Sequence, residues 1–154
     1  MLALVISSDS ATGLRIAELA EPQAASNEAL ISVHATSLNR GELRLLTIRP
    51  NGWIPGQDIA GIVERAAADG SGPAVGARVV ALVDEAGWAE RVAVPTDRLA
   101  VLHGHQRVDD VVRDAAVRGV HRQRLRVVGP RLVRQLERER SGRGRRARGG
   151  GCAV

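Results

Sequence analysis

The chain has 154 residues, which is enough for one ordinary domain and short for two. All 22 basic residues are arginine, and Phe and Tyr are absent. The single cysteine, Cys152, excludes an internal disulfide framework and a zinc site built from several cysteines. The sequence contains no apolar run long enough to span a bilayer and no secretory signal pattern, so we expect a soluble cytoplasmic protein with no membrane partner.

The net charge of +5 is unevenly distributed along the chain. Residues 1–103 contain 8 arginines and 12 acidic residues, a net charge of −4. Residues 104–154 contain 14 arginines and 5 acidic residues, a net charge of +9. This change in composition indicates a boundary near residue 103.

The first hundred residues predict a mainly β domain. Apolar and polar residues alternate in short runs, and turn residues such as Asn51-Gly52 and Pro55-Gly56 separate them. Leucines at 43, 45 and 46 with Glu42 near the start predict a short helix over residues 40–48. The predicted strands are 2–6, 14–19, 29–35, 59–64, 78–83 and 89–94. Short strands at this spacing are typical of a barrel or a sandwich.

Four segments carry more specific patterns. Taken alone, each of them could be simply a turn followed by a strand or a helix. They are SLNRGEL at residues 37–43, WIPGQDIAGIV at 53–63, GARVVA at 76–81 and GWAERVAVP at 87–95, the last followed by Asp97-Arg98-Leu99. In this order they resemble the N-terminal GroES-like domain of the medium-chain dehydrogenase/reductase superfamily. That family has a VN-x-x-D/E segment, then PGxDxAGxV, VGDRV and GGxAEYxxVPxxxL segments. The resemblance covers residues 1–102 and implies a partly open barrel with short helices.

Two amides distinguish the chain from the zinc enzymes of this superfamily. The zinc alcohol dehydrogenases place a cysteine where Asn39 lies and a His-Glu pair where Gln57-Asp58 lie. Zinc requires thiolate, imidazole or carboxylate ligands, so the amides at 39 and 57 remove two of them. The four cysteines of the structural zinc lobe are also absent from residues 1–151. The resemblance therefore implies the zinc-independent quinone oxidoreductase branch, without a metal.

That branch uses NADPH to reduce quinones, enones or related carbonyl compounds, so the resemblance implies NADP(H) as the cofactor. Homodimers are common in the branch. The hydride chemistry belongs to the nicotinamide, and the protein supplies position and electrostatics. The resemblance places Asn39 beside the nicotinamide ribose and Arg40 near the anionic cofactor, where an amide and a guanidinium suit hydroxyl and phosphate groups. It places Trp53 and Gln57 on the substrate side.

Simpler interpretations of these residues stay open. Asn39 could be an ordinary turn residue before a helix, Arg40 a solvated surface charge and Trp53 a packing residue. His34 fits the face of a strand and needs no functional explanation. The sequence shows no convincing general acid or base, so no catalytic residue is assigned.

Residues 103–154 do not continue the family pattern, because the glycine-rich turn that would hold the cofactor pyrophosphate is missing. Read one base later, the codons from Arg113 to Arg118 can encode Ala-Thr-Leu-Pro-Phe, and those from Glu139 onward can encode Ser-Val-Leu-Val-Ala-Gly-Ala-Gly. Both phrases resemble the family in the correct order. We therefore expect a shifted reading frame beginning between about Leu102 and Val108, and a missing Rossmann domain.

A frame-shifted tail is expected to be poorly ordered or weakly helical. The chain is expected to be a truncated and inactive oxidoreductase that does not itself bind NADP(H). An alternative function is nucleic-acid binding by the Arg/Gly tail, which could neutralise phosphates without sequence preference. The tail has no aromatic residue for base stacking. A third alternative is a stand-alone GroES-like interaction module, which no sequence feature specifically supports.

Overall fold

The computed structural model describes residues 1–38 and 40–103, and the expectations for the Arg-rich tail beyond residue 103 lie outside the described residues. The described part is mainly β, as the sequence predicts. Its strands are Leu2–Ile6 (β1), Leu14–Glu18 (β2), Glu28–Thr36 (β3), Asp58–Arg65 (β4), Arg78–Leu82 (β5), Arg91–Pro95 (β6) and Leu99–Val101 (β7). An α-helix, Arg40–Ile48 (α1), follows β3, and a 3-10 helix, Thr96–Arg98, precedes β7.

The predicted bounds of β1 and α1 agree with the structure, and those of β2 to β6 are displaced by at most two residues. The sixth predicted strand begins at Arg91 rather than at residue 89, because Ala89 forms only an isolated bridge to Ala3. β7 was missed. It contains three residues, of which Ala100 and Val101 are exposed, so it has too little alternation to indicate a strand.

Five strands form one antiparallel sheet in the order β6-β3-β4-β5-β7. β1 and β2 form a separate hairpin. This hairpin is attached to the loop before β6, where the backbone N–H of Leu4 donates to the carbonyl of Trp88 at 2.9 Å. The edge strands β6 and β7 do not pair with each other, which makes the barrel partly open as expected.

Alternate residues of β3 to β6 turn their side chains to one face and form the apolar core. Ile31, Val79 and Val94 are fully buried there. His34 lies on β3 with its side chain exposed, in agreement with the simple strand-face interpretation. Within residues 1–38 and 40–103, no helix is long and apolar enough to cross a membrane.

Candidate functional site

Two of the sequence motifs meet at one end of the large sheet. β3 and β4 are antiparallel, and Thr36 at the end of β3 pairs with Ile59 near the start of β4. The segment that follows β3 and the segment that precedes β4 therefore lie side by side. We call residues 37–38 and 40–42 the cofactor-side segment and residues 53–58 the substrate-side segment, after the roles that the sequence predicts for them.

Asp58 is the first residue of β4 and binds the cofactor-side segment through both carboxylate oxygens. Its Oδ1 accepts the backbone N–H of Ser37 at 2.8 Å, and its Oδ2 accepts the Ser37 hydroxyl. Thr36 adds a hydrogen bond from its hydroxyl to the Asp58 carbonyl at 2.7 Å. The carboxylate thus closes the junction between β3 and β4.

Glu42 lies in the first turn of α1, in the cofactor-side segment, and its side chain binds the substrate-side segment. The residue is 0% exposed, and its Oε1 accepts the backbone N–H of Gln57 at 2.9 Å. The carbonyl of Gln57 accepts the backbone N–H of Val83 at 2.8 Å. Both the backbone N–H and the backbone carbonyl of Gln57 are therefore hydrogen-bonded, which fixes the position of its Cα and the direction of its side chain.

The substrate-side segment packs against the loop that precedes β6 through three backbone hydrogen bonds. The N–H groups of Ala86, Gly87 and Trp88 donate to the carbonyls of residues 54, 56 and 55, at 2.9, 3.0 and 2.9 Å. Gly56 has a φ of +105°, a conformation that residues with a Cβ rarely adopt. The glycine of the second motif is thus required by the backbone.

Trp88 connects this loop to the cofactor-side segment. The residue is 7% exposed, and its indole N–H donates to the carbonyl of Ser37 at 3.2 Å. The bond joins the first and fourth motifs, which are far apart in sequence. The sequence analysis gave Trp88 no individual role.

Trp53 is half-buried at the start of the substrate-side segment. The guanidinium of Arg49 lies over its ring, 5.1 Å from the centroid, and its indole N–H donates to the Glu85 carboxylate. One face of the indole is thus covered by a cation, a favourable arrangement for an aromatic ring. The indole N–H at the edge of the ring is bound by the Glu85 carboxylate.

The structure brings Gln57 and Trp53 into one segment and puts Arg40, at the start of α1, in an exposed position on the neighbouring segment. Asn39 lies outside the described residues. The contacts of Glu42 and Asp58 between the two motifs were not predicted from the sequence. Their signal was present, because both occupy the acidic positions of the family patterns.

An open cleft of about 470 Å³ lies along β4, β5 and β7, and Asp58 is the lining residue that it shares with the substrate-side segment. Asp58 lies at one side and Arg98, which forms a 3.0 Å ion pair with Asp84, at another. Its other lining residues are mainly apolar: Ile59, Val80, Ala81, Leu82 and Ala100. Such a surface suits a small, largely apolar molecule. Among the residues that the structure describes, no group of three or more His, Cys, Asp or Glu side chains could hold a metal ion.

Residues 25–105 match the family model of the alcohol dehydrogenase GroES-like domain, and this is more than half of the chain. The chain therefore belongs to the alcohol dehydrogenase GroES-like domain family. Solved structures that resemble it lie in the medium-chain dehydrogenase/reductase superfamily of oxidoreductases, in agreement with the sequence analysis. No curated protein sequence matches the chain significantly.

Three solved structures illustrate the similarity. The quinone oxidoreductase from Thermus thermophilus, also solved with NADPH, is 30% identical with a TM-score of 0.59, over 73% of this chain and 36% of that one. The human synaptic vesicle membrane protein VAT-1 homolog-like protein is 27% identical with a TM-score of 0.67, over 73% and 38%. The Escherichia coli quinone oxidoreductase complexed with NADPH is 18% identical with a TM-score of 0.59, over 67% and 33%, and shows the fold alone. The chain thus spans between 33% and 38% of these proteins.

Proposed function

We propose that the chain is the substrate-side domain of a zinc-independent, NAD(P)H-dependent oxidoreductase that reduces quinones or enone-type carbonyl compounds in the cytoplasm. The observation that carries the proposal is in the sequence, where Asn39 and Gln57 place amides at two ligand positions of the zinc enzymes. The two motifs that contain them are joined by the hydrogen bonds from Gln57 to Glu42 and from Ser37 to Asp58. The 30% identity to a quinone oxidoreductase that binds NADPH supports this choice within the superfamily.

The residues present suit one end of a nicotinamide cofactor. Arg40 offers an exposed guanidinium for an anionic group, and Asn39 offers both a donor and an acceptor for sugar hydroxyls. When bound, the nicotinamide would supply the hydride. Within residues 1–38 and 40–103, no glycine-rich turn between a strand and a helix is available for the pyrophosphate. These residues would therefore hold only the nicotinamide end.

The substrate would lie on the other side of the junction. Gln57 could orient a carbonyl oxygen through its side-chain amide, because its backbone is already fixed by Glu42 and Val83. Trp53 would supply an aromatic surface, and the mainly apolar lining of the open cleft beside Asp58 would favour a largely apolar substrate. Hydride transfer to a quinone or enone is completed by a proton, which would come from solvent, because no residue within 1–38 and 40–103 is assigned as the acid. The contribution of these residues would be to bind and orient.

We also propose that residues 103–154 are read in a shifted frame and do not form the cofactor domain. Resequencing the gene from the codon of Leu102 to beyond the stop should reveal a one-base change that restores the glycine-rich turn. An intact frame ending at Val154, with the same codons maintained in close relatives, would contradict this part of the proposal.

Activity is tested with two proteins. The purified 154-residue chain should oxidise NADPH with a quinone at a negligible rate, and the frame-restored protein should do so readily. The frame-restored protein is expected to form a homodimer, as is common in the branch. Turnover by the short chain would contradict the truncation, and inactivity of the restored protein with quinones and enones would contradict the oxidoreductase assignment.

The Arg-rich tail has its own predicted consequence, which is weak binding of nucleic acids without sequence preference. Its net charge of +9 would release counterions from phosphates, so affinity should fall steeply as salt rises. A chain ending at residue 103 is the matched control and should not bind. Binding that is insensitive to salt would exclude this electrostatic explanation.

A further inference from the structure

We propose that Glu42 and Asp58 are positioning residues that hold the cofactor-side and substrate-side segments at a fixed separation. This inference rests on the proposed function, because the names of the two segments come from it. It goes further by assigning a role to two acids that could otherwise be taken for proton donors.

The contact between the segments is reciprocal. The substrate-side segment donates the N–H of Gln57 to Glu42 at 2.9 Å, and the cofactor-side segment donates the N–H of Ser37 to Asp58 at 2.8 Å. Each segment therefore gives one backbone donor and one carboxylate acceptor. A buried backbone N–H that loses its acceptor is costly, so the two bonds together form a double tie between the segments.

Both carboxylates accept hydrogen bonds between the two segments, although Asp58 also lines the open cleft. Glu42 is 0% exposed. Both oxygens of Asp58 accept hydrogen bonds from Ser37, one from the backbone and one from the hydroxyl. The acidic positions of the VN-x-x-D/E and PGxDxAGxV patterns are thus accounted for by acceptance of hydrogen bonds between the motifs.

The rest of the barrel does not depend on this double tie. Ser37 is also bound by Trp88 and Gln57 by Val83, and the core side chains lie on the inner face of the sheet. Loss of one carboxylate should therefore loosen the junction without unfolding the domain. This property allows the proposal to be tested on the purified chain.

The first measurement is amide hydrogen exchange in the 154-residue chain. Glu42→Ala should speed exchange at Gln57 by about tenfold to a hundredfold, because the Gln57 N–H loses its acceptor, and should also speed exchange at Ser37. Asp58→Ala should affect the same two amides. The double variant should show less than the sum of the single effects, because the two bonds act together.

Matched controls remove carboxylates that accept a backbone N–H elsewhere. Glu28→Ala breaks a 2.9 Å bond from Ala25, and Asp69→Ala breaks a 2.8 Å bond from Ser71. Both should leave exchange at Ser37 and Gln57 unchanged. Glu42→Gln keeps an acceptor oxygen and should restore slow exchange. If Asp58→Ala does not fold, Ser37→Ala is used in its place, because it removes only the hydrogen bond from the Ser37 hydroxyl to Asp58.

The second measurement is the binding of reduced nicotinamide mononucleotide, followed by tryptophan fluorescence. Glu42→Ala and Asp58→Ala should weaken binding by about tenfold or more, because the reacting groups lose their alignment, and Glu42→Gln should not. Absence of nicotinamide binding by the wild-type chain would agree with the truncation, and the exchange data alone would then decide the role of the double tie. If Glu42→Ala affects Gln57 alone, or if loosened variants bind normally, the positioning role is overturned.

Discussion

Gly56 and Gly87 lie backbone against backbone. The N–H of Gly87 donates to the carbonyl of Gly56 at 3.0 Å. A Cβ on Gly56 would lie 2.6 Å from the Gly87 Cα, and a Cβ on Gly87 would lie 2.8 Å from the Gly56 carbonyl oxygen. These glycines belong to the second and fourth motifs, so the absence of side chains lets the two motifs meet.

We expect Gly56→Ala to lower the free energy of unfolding by about 3 kcal/mol, because strain at positive φ adds to the steric clash. Urea denaturation measures the effect. Gly76→Ala is the matched control, since Gly76 has a φ of +84° and nothing within 4 Å of its Cβ position. It should cost about 1 kcal/mol. Equal losses in the two variants would show that the contact with Gly87 is unimportant.

Trp88→Phe should destabilise the domain by about 2 kcal/mol, since it removes buried volume and the indole donor to the Ser37 carbonyl. Thermal unfolding followed by far-ultraviolet circular dichroism measures the change. Trp53→Phe loses a bond to the exposed Glu85 and should cost about 1 kcal/mol or less. A larger loss for Trp53→Phe than for Trp88→Phe would contradict the described hydrogen bonds.

The pKa of Asp69 is lowered from its ordinary value of 3.8, chiefly by the Ser71 side chain and then by the Ser71 backbone N–H. Because the folded-state pKa is the lower one, the resulting stabilisation is present above the unfolded pKa and is lost as pH falls through the folded pKa. NMR titration should show Asp69 titrating below 3.8 in the wild type. Ser71→Ala should raise that pKa, and an unchanged pKa would exclude the hydroxyl as the main cause.

Leu82 is 71% exposed on the outer face of the sheet, beside the open cleft. Leu82→Ser should therefore change the free energy of unfolding by no more than about 0.5 kcal/mol and should raise the protein concentration at which aggregation begins. Light scattering during concentration measures the second effect. Leu30→Ser, at a position 7% exposed, should instead destabilise the domain. Unchanged aggregation in Leu82→Ser would mean that another surface is responsible.

The strands could be predicted where alternation was long enough to be visible. Residues 79 and 81 face the core and residues 80 and 82 face outward, so β5 was predicted to within one residue. β7 could not be predicted, because three residues define no period. The roles of Trp53 and Gln57 stay predictions. The contacts of Glu42, Asp58 and Trp88 could not be predicted, because they depend on segments that meet only after the strands pair.

The sequence by itself determined the mainly β class, the helix over residues 40–48, the family and the positions of the turns, because periodicity and glycine placement are local properties of the chain. Only the tertiary structure decided the strand order and the reciprocal bonds from Gln57 to Glu42 and from Ser37 to Asp58. The physical reason is the antiparallel register of β3 and β4. It brings Thr36 opposite Ile59 and so places two motifs distant in sequence within hydrogen-bonding distance.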